Sequence, residues 1–360
     1  MIFRLGLKFC FVVAIVTVAA IANAVPTVTV IANRSLGFRV AFLAMAQNGK
    51  TLIVGDGRTI ADAGSRVLLL NHETLDEKAT TRIKADLPWS SHSVAVAPDQ
   101  QHALVFNRYI TLDTLATTNV LDLKNVVAEG NVRPEPFAIS PDGKSALVNV
   151  NSYIDSKLDS LAVFDLKSGK IKRTIDLSGE QPLCNACFLD DREIAFHAAN
   201  GHVVAVGVDA KRRRVLSRNG PRMFSDVASN SYMAVSSDGQ YLVVSSYGSF
   251  VVLDVSREKE VFRKTTERGN AVPILGGRFL VYQNVRRSRA PLTPGGFYRP
   301  LFTCVRTADG KTMAEFEREG RYDAIIAGED ETISYGVNDK TVSRLRFQWG
   351  NLLQPDKPER

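Results

Sequence analysis

Histidine and cysteine are scarce in this sequence, and so are the motifs that identify enzymes. Its 360 residues include five histidines and four cysteines. It contains no G-x-S-x-G nucleophile elbow, no H-E-x-x-H zinc motif and no glycine-rich phosphate-binding loop. These absences favour a non-catalytic protein, for which we expect no cofactor and no bound metal ion.

Long apolar runs are absent after the first 24 residues. Arg4 and Lys8 precede an unbroken apolar run that ends in Ala22-Asn23-Ala24, a pattern typical of a secretory signal peptide. An uncleaved membrane anchor is the alternative, but the run is shorter than the ~20 residues that a bilayer core requires. We therefore expect residues 1–24 to be a signal peptide. The mature chain is then periplasmic or secreted, without stable membrane insertion.

Charge of one sign is not strongly concentrated. The formal net charge is +7, and Arg4 and Lys8 of the predicted signal peptide contribute two of those charges. Basic residues cluster at 211–214 and 286–289 alone. Nucleic-acid binding requires a basic stripe with stacking aromatic residues, so no nucleic-acid partner is expected.

No linker rich in Pro, Gly or Ser divides the chain, and helical periodicity is nearly absent. A β-hairpin pattern recurs instead, with apolar strands on both sides of a turn, as in "FAISPDGKSALV" and "YMAVSSDGQYLVV". The seven turns are 38 to 53 residues apart, the spacing of four-stranded propeller blades. They lie at Gly49, Gln100, Gly143, Asp191, Gly239, Gly277 and Asp330.

These repeats predict a seven-bladed β-propeller over residues 25–350, followed by a disordered C-terminal tail at 351–360. The seventh repeat supplies three strands, and "TVTVIAN" (27–33) is a spare strand that can complete it. Pairing the two ends in one blade removes the free sheet edge. A pair of β-sandwiches or an open array of sheets is the alternative fold.

The segment "SPDGKSALV" followed by "LAVFDLKSGK" resembles the YVTN/WD40-like propeller repeats of exported bacterial proteins, and the resemblance covers most of residues 27–349. The Gly-His and Trp-Asp signatures of true WD40 repeats are missing. The resemblance therefore implies a fold, and the fold alone does not determine function.

Propeller geometry separates two faces. The hairpin turns lie on one face, whereas the loops that join blades share the other face with the loops between second and third strands. Three of those loops are long, at 55–66, 149–160 and 284–300, and long loops are commonly functional. The third loop contains Arg286, Arg287, Arg289, Tyr298 and Arg299, which suits an anionic or protein partner. A plain surface insertion is the alternative.

Residues that enter the innermost strands are expected to ring the mouth of the central channel and to bind a ligand or partner. Any water-filled channel would also have polar residues there. The predicted ring is Arg39, Trp89, His92, Arg133, Glu135, Asn185, Asp226, Asn270, Tyr322 and Asp323.

The fourth repeat contains Cys184, Cys187, His197 and His202. Strand pairing is expected to place Cys184 opposite His197, with Cys187 on the other strand face, so the four groups do not converge as a zinc site requires. In an oxidising compartment a Cys184–Cys187 disulfide is expected if the strand bends. Two buried core residues are the alternative.

Two functional classes remain. The first is a non-catalytic propeller that binds a protein or small ligand on its long-loop face. The second is a propeller subunit that seats a cofactor-bearing partner, because residues 52–79 and 87–106 resemble the blade layout of the heavy subunit of periplasmic quinoprotein amine dehydrogenases. A metal-dependent propeller lactonase is a weaker possibility.

Overall fold

Twenty-eight β-strands form the described part of the chain. In this computed structural model the described residues are 27–46, 49–56, 64–83, 94–123, 132–152, 160–175, 177, 179–180, 183–209, 211–221, 232–246, 248–266, 271–287, 298–317, 322, 324–327 and 333–349. Within these ranges the only helical segment is a 3₁₀ turn at Leu275–Gly277. No helix among them is long and apolar enough to cross a membrane.

The strands, numbered β1 to β28 along the chain, form seven antiparallel four-stranded sheets. Blades 1 to 3 contain β2 (Phe42–Ala46), β3 (Thr51–Gly55), β4 (Ser65–Asn71) and β5 (Glu77–Ile83); β6 (Val94–Val96), β7 (His102–Val105), β8 (Arg108–Thr111) and β9 (Thr117–Val120); and β10 (Val132–Ile139), β11 (Ser145–Ser152), β12 (Ser160–Asp165) and β13 (Ile171–Ile175).

Blades 4 to 6 follow the same order. They contain β14 (Leu183–Phe188), β15 (Glu193–Ala198), β16 (Val203–Gly207) and β17 (Arg213–Ser217); β18 (Tyr232–Val235), β19 (Tyr241–Ser246), β20 (Ser249–Asp254) and β21 (Lys259–Thr265); and β22 (Val272–Ile274), β23 (Phe279–Arg287), β24 (Tyr298–Arg306) and β25 (Thr312–Glu317). Blade 7 contains β26 (Ala324–Ala327), β27 (Ile333–Asn338), β28 (Thr341–Gln348) and β1 (Thr27–Ser35).

The two ends of the chain close the ring in blade 7. Strand β1 pairs antiparallel with β28 from Thr27–Gln348 to Ser35–Thr341, with one register shift between Val30 and Ala32. The predicted seven-bladed propeller, closed by the N-terminal strand, is therefore confirmed. The alternatives of paired sandwiches or an open array are wrong, because the first strands of blades 1 and 7 also lie against each other.

The hydrophobic core lies between neighbouring blades. Every residue of β3 and β16 is buried, and so is every residue of β19 and β20 except the first. They are buried because adjacent blades cover both faces of these central strands. One apolar cluster joins blade 3 to blade 4 through Leu147, Val163, Phe196 and Val204. Each sheet buries both of its faces only because the ring supplies a neighbour on each side.

The repeated hairpin turn uses the same hydrogen bonds in different blades. In blade 3, Ser140 Oγ donates to Asp142 Oδ1 at 2.6 Å and accepts from the Ser145 amide at 2.9 Å. In blade 5, Ser236 Oγ donates to Asp238 Oδ1 at 2.5 Å in the same way. Gly143 has φ 70°, a conformation that glycine adopts without strain. The Ser-x-Asp-Gly sequence thus encodes a turn and not a binding motif.

Candidate functional site on the joining face

The joining face carries the connections between blades and the loops between second and third strands. Linker 36–41, between β1 and β2, lies against the β27–β28 turn, where the Val40 amide donates to the Asp339 carbonyl at 2.8 Å. Arg39 of this linker is exposed, with Nε 3.8 Å from Asp339 Oδ1. Such surface ion pairs contribute little to stability, so Arg39 remains available to a partner.

The other residues of the predicted ring lie in different environments or outside the described residues. Asn185 is half-buried on β14. Arg133 and Glu135 lie on β10, where their backbone pairs with β11. Five further predicted ring residues, together with Arg289 of the Arg-rich loop, lie outside the described residues: Trp89, His92, Asp226, Asn270 and Asp323. Their contribution to a binding site stays a prediction.

Tyr322 occupies the core and not the channel mouth. It is 5% exposed, its ring stacks on Phe302 at 5.9 Å, and it belongs to the apolar cluster between blades 6 and 7. The Gln283 side chain donates to the Tyr322 carbonyl at 2.6 Å and accepts from the Tyr322 amide at 3.0 Å. Tyr322 therefore anchors the linker into blade 7.

Gln283 belongs to a repeated buried position that the sequence interpretation missed. In six blades this position lies six residues after the hairpin-turn residue, near the end of the second strand. In blade 2 the residue six positions on is Phe106, and Asn107 follows it. The residues at the six-residue spacing are Gly55, Asn149, His197, Ser245, Gln283 and Gly336.

Polar residues at this position hold the linker that enters the next blade. His197 Nε2 lies 2.8 Å from the Pro221 carbonyl, and Ser245 Oγ accepts from the Ala271 amide at 3.2 Å. In blade 2, Asn107 Nδ2 donates to the carbonyl of a linker residue at 3.3 Å. Paired buried polar groups of this kind are costly to break, so the position acts as a latch between consecutive blades. We call it the linker latch.

His197 is the titratable member of the linker latch. It is fully buried, and this burial lowers the pKa of its imidazole to about 4. The ring is therefore neutral at pH 7, and Nε2 must carry the proton that is donated to the Pro221 carbonyl. A neutral buried histidine of this kind serves structure and offers no general base to a substrate.

The two cysteines of blade 4 do not form the predicted disulfide in the structure. Both lie on β14, and three residues of extended strand span ~10 Å, more than the ~7 Å that a disulfide tolerates between Cα atoms. The predicted pairing was also displaced by one residue. A register shift between Leu183 and Asn185 places Asn185, and not Cys184, opposite His197.

A cluster around Glu180 was also missed. Glu180, in the linker between blades 3 and 4, accepts from His202 Nδ1 at 2.9 Å and from Asn200 Nδ2 at 2.7 Å. Burial raises the pKa of Glu180, but the hydrogen bonds from His202 and Asn200 outweigh it and hold the pKa below its usual value. The linker and the β15–β16 loop thus meet on the joining face through a charged carboxylate.

The predicted Arg-rich loop is strand at both of its ends, and residues 288–297 lie outside the described residues. β23 and β24 pair from Phe279–Arg306 to Arg287–Tyr298, so Arg286, Arg287 and Tyr298 lie on a paired ladder. The expectation of a loop over the whole of 284–300 is therefore wrong. The strand pattern continues because Val285 and Tyr298 favour extended backbone. On the joining face, blade 6 extends four residues past the linker latch at Gln283.

The described wall of the central channel is mainly apolar. Most half-buried residues of the innermost strands carry aliphatic, aromatic or sulfur-containing side chains. They include Leu43, Met45, Val94, Val96, Phe137, Cys187, Tyr232 and Ile326. Burial raises the pKa of both Cys187 and Tyr232 to about 12, so the wall carries no charge from either group at pH 7.

Comparisons with known proteins do not identify a function, so the functional assignment depends on the fold and on its surfaces. No protein-family model matches the chain, and no curated protein matches it. The seven-bladed ring is consistent with a propeller repeat family, whereas the YVTN/WD40-like resemblance stays a prediction. Among the residues that the structure describes, no group of three His, Cys, Asp or Glu residues could hold a metal ion.

Proposed function

We propose that this protein is a non-catalytic periplasmic or secreted β-propeller that binds a partner protein through its joining face. The observation that carries the proposal is the extension of blade 6 on that face. β23 and β24 are nine residues each, whereas the corresponding strands of blade 2 have four. A paired extension beyond the blade adds backbone surface that the ring does not need for closure.

The difference between the two faces also supports the joining face as the binding surface. On the opposite face, the turns that the structure describes are short, and their polar groups bond one another, as Ser140 does with Asp142. On the joining face, the connections between second and third strands differ in length along the sequence, and Arg39 is exposed there. Binding residues are disproportionately found on such loops above a rigid scaffold.

The signal-peptide pattern at residues 1–24 supports export. Fractionation of the native host, with detection of the chain and sequencing of its mature N-terminus, tests this part of the proposal. Processing after Ala24 and recovery outside the cytoplasm are expected. An unprocessed cytoplasmic chain would contradict it.

Partner binding is tested by affinity purification of the mature chain from its own compartment at low salt. Mass spectrometry then identifies companions present in stoichiometric amounts. The wild type is compared with Arg39→Glu/Arg133→Glu on the joining face and with Lys211→Glu/Arg212→Glu on the turn face, which changes charge equally. A partner retained by the turn-face variant and lost from the joining-face variant is expected.

Other companions would redirect the assignment. A small cofactor-bearing subunit would favour the amine dehydrogenase-like role, and a tightly held metal ion would favour the lactonase-like role. A chain that elutes alone, from both the wild type and the control, would overturn the proposal of a stable protein partner.

A further inference from the structure

We infer that Glu180 and His202 form a proton-dependent contact on the joining face, which holds the linker into blade 4 more tightly in mildly acidic than in neutral solution. We call this contact the clasp. Glu180 lies in the connection between β13 and β14, and His202 directly precedes β16. The clasp goes beyond the proposed function, because it concerns the response of the joining face to pH and requires no partner.

The carboxylate of Glu180 is held at both oxygens. His202 Nδ1 lies 2.9 Å from Oε1, and Asn200 Nδ2 donates to Oε2 at 2.7 Å. The Glu180 amide donates to the Leu177 carbonyl at 3.0 Å, so the chain turns at this point of the linker. The Glu180 side chain is 15% exposed and the His202 side chain is 30% exposed, and partial burial reduces the screening of their interaction by salt.

Protonation of His202 strengthens this contact. An imidazole donates to a carboxylate through a nitrogen that carries hydrogen, and neutral His202 has that hydrogen on Nδ1 in one of its two tautomers. The imidazolium carries hydrogen on both nitrogens and adds the attraction between opposite charges at close range. Histidine is the residue whose charge ordinarily changes between pH 5 and 8. The added stabilisation is present while His202 is protonated, and it is lost as the pH rises through the His202 titration.

The carboxylate keeps its charge across this range. Burial raises the pKa of Glu180, but the hydrogen bonds from His202 and Asn200 outweigh it and hold the pKa below its usual value. Arg213 Nη2 lies 4.0 Å from Glu180 Oε1 and donates to the Leu177 carbonyl at 3.2 Å. In the described part of the chain, His202 and Arg213 are the charged groups that face Glu180. Arginine stays charged at these pH values, so the pH acts on the clasp through His202.

The second histidine of blade 4 does not belong to the clasp. His197 pairs with Val203 in the β15–β16 ladder, and its Nε2 donates to the Pro221 carbonyl in the linker into blade 5. Burial lowers the pKa of His197 to about 4, so acid weakens the His197 contact, whereas it strengthens the contact of His202. The linkers into blades 4 and 5 are therefore expected to respond to acid in opposite directions.

Hydrogen–deuterium exchange of the peptide that contains Glu180 tests the clasp in the chain that starts at Val25. Exchange is measured at pH 5.5 and pH 7.5 and corrected for the intrinsic rate. The wild type is compared with His202→Gln, which removes the titrating group, and with His102→Gln. His102 is a matched control in blade 2, because its Nδ1 lies 2.7 Å from Asp99 Oδ2 and its side chain is also 30% exposed. Circular dichroism and thermal unfolding check that the three proteins fold alike.

We expect this peptide to exchange about threefold more slowly at pH 5.5 than at pH 7.5 in the wild type and in His102→Gln, and at about the same rate in His202→Gln. An NMR titration of the His202 imidazole, whose signals are assigned by their absence from His202→Gln, provides a second measurement. Glu180→Gln should move the midpoint of this titration to lower pH by about 0.5 pH unit or more, because the charge that favours the imidazolium is removed. Asp99→Asn should leave the midpoint unchanged.

Three results overturn the inference. They are an equal pH response of the exchange in the wild type and His202→Gln, slower wild-type exchange at pH 7.5 than at pH 5.5, or a His202 midpoint that Glu180→Gln does not lower. Neither measurement uses a partner, so these results leave the proposed function as it stands. A chain that is purified without a companion likewise leaves the clasp as it stands.

Discussion

Replacing His197 with Gln should reduce the acid sensitivity of the fold. The imidazole is fully buried and donates to the Pro221 carbonyl, and burial lowers its pKa from 6.5 to about 4. In blade 6 the equivalent linker latch residue is Gln283, whose side-chain amide donates to the Tyr322 carbonyl at 2.6 Å. The His197→Gln variant can therefore keep a donor for the linker while losing the titratable group.

The magnitude follows from proton linkage. Between pH 6.5 and about 4 the unfolded chain binds a proton at His197 that the folded protein does not, so stability falls as the pH is lowered through this window. At 1.36 kcal/mol for each unit of pKa, the loss approaches about 3 kcal/mol below pH 4. Above pH 6.5 both states are neutral at this residue, and its contribution no longer depends on pH.

Urea unfolding from pH 7.5 to pH 4, followed by circular dichroism, measures this loss. The comparison is between the wild type, His197→Gln and the control His72→Gln, whose histidine lies in the β4–β5 turn at the surface. The wild type and the control should share a steep acid loss that His197→Gln reduces by about 3 kcal/mol. The reasoning fails if all three free energies of unfolding fall in parallel.

The other predictions concern packing, closure and thiol reactivity. Gly336→Ala should lower the free energy of unfolding by about 1–3 kcal/mol, because a Cβ there collides with the Tyr322 ring; an unchanged urea midpoint would contradict the packing. A chain that begins at Leu36 lacks β1 and should unfold at lower urea, and an added peptide of residues 27–35 should restore the midpoint, whereas a scrambled peptide should not. Burial raises the pKa of Cys187 to about 12, so iodoacetamide should modify it far more slowly at pH 8 than after unfolding, as measured by mass spectrometry; equal rates would show an accessible thiolate.

The ring could be predicted from the sequence because its blades are encoded locally. A turn such as Ser140 to Gly143 defines two flanking strands by itself, and seven copies at blade spacing leave few alternatives. Ring closure was also predictable, since residues 27–33 are a strand without a partner in their own repeat. Both predictions depend on short-range patterns, which a single sequence shows directly.

The predictions were wrong or incomplete where strand register, or contacts between residues distant in sequence, determine the geometry. One bulged residue at Cys184 displaced the predicted pairing with His197. Glu180 lies in the linker into blade 4 and His202 in the β15–β16 loop, and nothing in their spacing indicates contact. The linker latch could have been found, however, because alignment of the hairpins on their turns brings Asn149, His197 and Ser245 into one column.

Pairing of β1 with β28 also determines the order in which the propeller can fold during synthesis. Of the propeller's strands, the one that is synthesised first, β1, is the outer edge of the blade that is completed last. Blades 1 to 6 can assemble from neighbouring hairpins as the chain lengthens, but blade 7 cannot close until β28 is available to pair with β1. A nascent chain therefore carries β1 without its β28 partner until β28 is available, and we expect resistance to proteases to rise in a single step once β28 pairs.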